Sequence, residues 1–348
     1  MTLMTRPIGS ARSGLIAGTV ALAGSLVQAH AQTYDPELVE AARGEDGTIT
    51  YYFIAGAEAN RPLFNAFSEE FDFIDFEVTG GDPMSLVEKV LNEHALGQPI
   101  ADILQGGPME DDILNAQNGL GGFKRPAGEE NVPDEFKFSG DYIVPDYFSF
   151  HIAYNTSLVS ADEAPLTLEE LTDPEWEGRF GIDVEQLDWF AGMLAYYGEE
   201  RGVEIFEALA DNDPLLFAGV QGYEQMAGGS VPVMLNGSSS RLADYIGRGA
   251  PIEIAVSPFV IAQPDIYIGI EQSDSPASVA LFFEFLFTPE AQEIMSQQVY
   301  KNPVLPGVDQ PPHLEQALSN EVEKFFVTSE NFGDFDQRVK LFQSIFFE

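Results

Sequence analysis

Four short runs of small residues hold most of the chemistry this sequence offers. They are Gly56 between two alanines, Gly80-Gly81, Gln105-Gly106-Gly107, and Asn236-Gly237-Ser238-Ser239-Ser240. Each follows a strand-like apolar run and leads into a helix-like one. A chain that turns from strand to helix presents free N–H groups and the positive end of the helix dipole. Small residues then let a ligand reach the backbone. Such turns suit a carboxylate, phosphonate or phosphate without help from Arg or Lys. Any one of them alone reads as an ordinary turn or cap; several on facing elements read as a ligand site.

Side chains add to this set. Asp188-Trp189 opens a helical run. Trp189 could cover an organic ligand and donate its indole N–H, or simply pack in a core. Asp188 could complement the helix start or hold an amine. His151 and Tyr267 lie on strand-like runs, Gln221 at a turn, and Arg241 beside the serine run, where it could meet an anion. The expected ligand contacts are Gly56, Gly80, Gly81, Gln105, Gly106, His151, Asp188, Trp189, Gln221, Asn236, Ser238, Ser239 and Tyr267.

Catalysis finds no foothold. The serine run lacks a G-x-S-x-G elbow. His30, His94, His151 and His313 are far apart, without metal spacing, and there are no cysteines. Phosphate-binding and dinucleotide fingerprints are missing. The residues point to no cofactor and no resident metal, and they leave an enzyme as the distant alternative.

The elements that must hold these turns alternate. Strands are expected at Ile49–Ile54, Phe73–Val78 and Pro99–Leu104, and helices at Glu58–Phe71, Met84–His94 and Met109–Asn118. Strand, glycine turn and helix repeated three times is the signature of a parallel α/β sheet, whose ligands sit off the carboxyl ends of the strands. Tyr147–Tyr154 alternates aromatic and small residues as a strand and is stopped by Asn155-Thr156-Ser157. It reads as a crossover into a second α/β unit, with strands at Phe180–Val184, Leu215–Val220 and Val231–Leu235. Helices are expected at Leu187–Arg201, Gly202–Leu209 and Arg241–Arg248, the last capped by Asn236–Ser240. Strands at Ile252–Val256 and Asp265–Ile270 lead back to the first unit.

Ile152-Ala-Tyr-Asn-Thr-Ser-Leu-Val159 resembles the "IAYNTxLV" segment of the bacterial extracellular solute-binding proteins of iron(III)-type ABC importers. The opening Tyr34-Asp-Pro-Glu-Leu-Val-Glu-Ala-Ala42, the Gly80-Gly81 turn, Ala101-Asp-Ile-Leu-Gln-Gly-Gly107, Leu168–Ile182 and Phe282–Gln292 are similar to that family's motifs in the same order. The resemblance implies a two-lobed periplasmic-binding-protein type II fold. Lobe one would be 32–145 and 255–300, and lobe two 146–254 and 301–348. It also implies a hinge at the crossover, and partners in an inner-membrane permease and its ATPase. Iron-binding members use two adjacent tyrosines after the strand that here is Val231–Leu235. This chain has Asn236–Ser240 there, and Tyr51-Tyr52 and Tyr196-Tyr197 fall on a strand and a packing helix. No bare-iron site is expected. The expected ligand is a small organic anion; a cationic or zwitterionic solute is second and ferric iron third.

Arg6, Arg12, a short apolar run and Ala29-His30-Ala31 read as a secretory signal peptide, residues 1–31, cleaved after Ala31. The expected location is the periplasm, as a monomer. With 57 acidic and 16 basic residues the formal charge is −41, which argues against nucleic acid and anionic membranes as partners. The acids are spread along the whole chain, a pattern of salt adaptation more than of ligand steering.

Overall fold

The computed structural model describes residues 34–53, 59–81, 83–107, 110, 113–114, 125–138, 140–270 and 272–347. The signal-peptide expectation, Gly56 and most of the Met109–Asn118 helix lie outside them. Among the described residues no helix is long and apolar enough to cross a membrane.

The expected strand–helix alternation is present. β1 (Thr48–Phe53) lies between β2 (Asp75–Gly80) and β3 (Ile103–Gly106), all parallel. Alternation sends Tyr51 and Tyr52 to opposite faces. Tyr51 joins Phe64 and Phe67 of α2 (Arg61–Glu70) in one core, while Tyr52 joins Leu86, Val87 and Val90 of α3 (Pro83–Ala95) in another. α1 (Pro36–Arg43) starts with an Asp35 side-chain cap and a proline, as its sequence suggests.

Two long antiparallel strands form the middle of the sheet. β4 spans Ile143–Asn155 and β9 spans Phe259–Gly269, with Asp146 opposite Asp265 and Phe150 opposite Ile261. The sheet order is β2-β1-β3-β9-β4-β7-β5-β6. β5 (Phe180–Asp183), β6 (Leu215–Phe217) and β7 (Val233–Ser238) run parallel to one another. β8 (Ile252–Ile254) and β10 (Asn302–Pro303) pair with β4, and β11 (Glu323–Phe326) with β9. One large core gathers around Tyr51, Phe67 and Phe282, and a second around Phe180, Trp189, Phe206 and Phe342.

Several expected boundaries are corrected. The helix expected through Arg201 stops as α4 (Leu187–Tyr197), because Gly198 takes φ 83°. That left-handed conformation favours glycine and lets α5 (Glu199–Asp211) fold back. α6 (Val220–Ala227) replaces the end of the strand expected through Val220. β7 runs on to Ser238 and α7 starts at once at Ser239 (Ser239–Gly247), so Asn236–Ser240 is not a capping loop. α8 (Pro276–Leu286) and α9 (Pro289–Gln298) follow β9. In the tail, the four-residue α10 (Ser329–Phe332) and α11 (Phe335–Phe346) follow β11.

Candidate ligand site

The carboxyl ends of β5, β6 and β7 meet at one place, where α6 and α7 begin. The Ser238 side chain at the start of α7 makes no capping hydrogen bond. The donors around that end are numerous. Ser238 donates its backbone N–H to the Tyr223 hydroxyl at 2.7 Å, and Tyr223 is fully buried. The Ser238 and Ser240 hydroxyls are 3.4 Å apart, a long and weak hydrogen bond that leaves both available. Arg241, in the first turn, has a buried Nη1 with no hydrogen-bond partner among the described residues. Its guanidinium carbon lies 5.6 Å from the Tyr223 ring centre.

Gly219, at φ 57°, completes this corner. A Cβ there would lie 2.8 Å from Glu185 Oε2 and 3.5 Å from Arg241 Nη1. The turn after β6, the turn after β5 and the start of α7 therefore converge on Arg241. Asn236 and Asp183 hold the corner in shape. Asn236 Oδ1 accepts from Asp183 N at 2.9 Å, and its Nδ2 donates to Asp183 O at 3.0 Å. Asp183 Oδ1 in turn accepts from Gly219 N at 3.0 Å.

A second set of groups lies where β3 ends and α4 begins. Gly107 N donates to Glu110 Oε2 at 2.8 Å. A Cβ at Gly107 would meet Gln263 Nε2 and Glu110 Oε2, each at 3.1 Å. Burial raises the Glu110 pKa above its ordinary value. Asp188, in the first turn of α4, is pushed up to about 7, first by burial and then by the Glu110 charge.

Between these corners the β4–β9 pair carries a buried polar network. Gln105 accepts from Tyr51 and, at 3.0 Å, from Asn60, and donates to Asp265 at 2.7 Å. Lys301 pairs with Asp265 and with Asp146, 3.3 Å away, and Tyr267 donates to Asp146 at 3.1 Å. Burial works against the Lys301 ammonium, but the two aspartates outweigh it and its pKa is raised.

The expected contact residues separate accordingly. Ser238 stands at the donor corner and Asp188 at the carboxylate one. Gln105 and Tyr267 are members of the central network. Asn236 is committed to Asp183. Ser239 is fully buried, its hydroxyl accepting from Ser149 N at 3.1 Å. His151 is buried with Nε2 2.7 Å from the Ser149 hydroxyl, and burial pushes its pKa down to about 3, so it is neutral. Asn302 donates to the same hydroxyl at 3.1 Å, which leaves that hydroxyl to donate to His151. Trp189 packs edge-on against Phe206 in the second core. Gln221 is exposed on α6. Gly106 is buried at the end of β3. Gly80 is exposed at the end of β2, and a Cβ at Gly81 would crowd Leu86 at 3.1 Å.

Sequence reasoning missed Glu110, Gln263, Tyr223 and Lys301. Glu110 had one usable signal, an acid three residues past a Gly-Gly turn. Gln263 lies in the half of β9 that Pro264 disguised. Lys301 follows α9 with no local pattern to mark it.

Residues 98–331 match the family model described as bacterial extracellular solute-binding protein. No curated protein matches the sequence. Among solved structures, iron-bound HitA from Pseudomonas aeruginosa superposes with a TM-score of 0.71 at 20% identity, covering 86% of this chain and 99% of that one. AfuA from Actinobacillus pleuropneumoniae with fructose-6-phosphate bound gives 0.67 at 19% identity, covering 86% and 97%. The Trichodesmium protein IdiA (FutA), in complex with iron and citrate, gives 0.71 at 17% identity, covering 87% and 100%. These likenesses carry the fold: a periplasmic-binding-protein architecture with a mixed sheet flanked by helices.

Proposed function

The chain belongs to the bacterial extracellular solute-binding proteins, and from that premise we propose that it captures a small organic anion between two lobes for an ABC importer. Proteins of this kind bind small ligands in the periplasm and hand them to a membrane permease; they are binding proteins, not enzymes. The two large cores are read as the two lobes, with β4 and β9 as the hinge between them.

One observation carries the choice of an anion. The start of α7, where Ser238 makes no side-chain cap, carries Arg241, whose buried Nη1 has no hydrogen-bond partner among the described residues and outweighs the Glu185 carboxylate at the same corner only together with the helix N–H groups. Backbone N–H groups, the dipole of a nine-residue helix, serine hydroxyls and a guanidinium all favour negative charge. The bound fructose-6-phosphate and citrate in two related folds are anions of this class. A phosphonate, phosphate ester or carboxylate is the expected chemistry. Reading the serine run as standing where iron-binding members carry their tyrosine pair makes bare iron the third reading, after a cationic or zwitterionic solute. The permease partner and a monomeric state belong to the same proposal.

Calorimetric titration with fructose 6-phosphate, citrate and inorganic phosphate tests the seat, on wild type and Arg241→Gln. At least one anion should bind wild type and lose tenfold or more in affinity in the variant. Undiminished binding in the variant would remove Arg241 from the site.

A further inference from the structure

We propose that Phe148 and Gln263 form the floor of the ligand site and select the uncharged body of the captured anion. That body lays a flat or apolar face on the ring and donates a hydrogen bond to the amide oxygen. This deepens the anion reading above and rests on it only for the ligand's charged end. The two residues are paired in register on β4 and β9, and directly opposed residues of an antiparallel pair share a face. β4 is buried along its whole length except at Phe148. On β9, Gln263 and Asp265 are each 8% exposed, while Ile261, Ala262, Ile266 and Tyr267 are fully buried. Phe148, Gln263 and Asp265 lie on one face, so the pair reaches solvent on that face, at its middle. α4 covers the same face up to that point. A Cβ on its Gly192 would lie 2.6 Å from Ile261, and Ile261 and Phe150 belong to the core around Trp189. Phe148 and Gln263 are the next residues on that face, past the pair Phe150 and Ile261.

The polar groups of this floor differ in what they lack. Asp265 Oδ2 is taken by Gln105 Nε2, at 2.7 Å, and by the Lys301 ammonium. Gln263 Oε1 is buried with no hydrogen-bond partner among the described residues, and a buried acceptor calls for a donor. A water would serve that oxygen and leave the ring wet. A hydroxyl or N–H on a flat or apolar body serves the oxygen and covers the ring together. The floor also lies within reach of the donor corner. Phe150, two residues from Phe148 and on the same face, stands opposite Ser238 of β7. Strand spacing then sets Gln263 about 12 Å from Ser238. One small organic anion spans that distance, with its charge at the Arg241 corner and its body on Phe148.

Calorimetry with fructose 6-phosphate, phenyl phosphate, inorganic phosphate and fructose tests this on wild type, Gln263→Met and Phe148→Ala. In wild type, fructose 6-phosphate should bind about tenfold tighter than phenyl phosphate, which has a flat body without the donor. Phenyl phosphate should in turn bind tighter than inorganic phosphate. Gln263→Met should abolish the first difference and Phe148→Ala the second, with a single cooperative thermal transition showing that each variant is folded. If no phosphate binds but fructose does, and fails in Gln263→Met, the anion reading falls and the floor stands. When phosphates bind, either difference missing in wild type overturns the proposal, as does one that survives its variant. So does fructose binding that survives Gln263→Met, or no binding of any of the four.

Discussion

Asp146 and Asp265 stand opposite each other in register on β4 and β9 and share one cation, the Lys301 ammonium. Burial raises the Asp146 pKa and the Lys301 charge opposes that rise. The network extends through Gln105 to Tyr51 and Asn60, so it ties β1 and β3 to the two strands read as the hinge. Removing the cation leaves two carboxyls facing each other out of water. Lys301→Met should cost about 3–5 kcal/mol, seen as a lower urea midpoint at unchanged slope. Adding Asp265→Asn should recover part of the loss; additive costs would contradict the shared-cation account.

His151 makes a prediction about pH. Its folded pKa, about 3, lies below its unfolded value near 6.5. Above pH 6.5 both states are neutral and its contribution is complete. As pH falls from 6.5 toward 3 the unfolded chain takes a proton that the folded one refuses, and stability drops by up to about 1.4 kcal/mol per pH unit. The difference in Tm between pH 7 and pH 4.5 should therefore be smaller in His151→Gln than in wild type. An equal difference would mean that His151 takes its proton while folded.

Gly192 sets the distance between α4 and the sheet. A Cβ there would come within 2.6 Å of both Ile261 and Val327. Gly192→Ala should cost about 1–3 kcal/mol as the helix is forced outward. Because the same helix carries Asp188, the substitution should also weaken ligand binding, whereas Tyr197→Phe, at the half-buried far end of α4 where its hydroxyl meets Glu169, should leave binding unchanged.

Charge bears on both folding and capture. A formal charge of −41 repels itself and repels an anionic ligand, and salt screens both within about 10 Å at 0.1 M. Thermal stability should rise with NaCl. The association rate of an anion, followed by stopped flow, should rise as well. A rate that falls with salt would identify a cation as the ligand.

The architecture was legible where local pattern decides it. Alternation and glycine turns mark β1 to β3, and the aromatic rhythm of Tyr147–Tyr154 marks β4. Legibility failed where long-range pairing overrides local preference. Pro264 and Pro145 argue against central strands, yet Pro264 pairs opposite Tyr147, and Pro145 sits at a register shift in β4. β11 is four residues with no alternation to announce it. The candidate site was half legible. The serine run is visible because small residues cluster in sequence. The Glu110–Gln263 corner joins residues more than a hundred positions apart, and nothing local brings them together. Asn236 and Ser239 have the composition of ligand groups, but their neighbours use them as ties between elements.

The most direct test of the central claim is a thermal-shift screen of the chain from Gln32 onward in high salt. The panel holds phosphonates, phosphate esters, carboxylates, amines and ferric citrate. A ligand at a hundred times its Kd adds about 2.7 kcal/mol, a rise of several degrees. The account predicts that rise with at least one phosphonate, phosphate ester or carboxylate, and its loss in Arg241→Gln. A rise only with simple amines, or only with ferric citrate together with a tyrosine-to-iron absorption band, would contradict it.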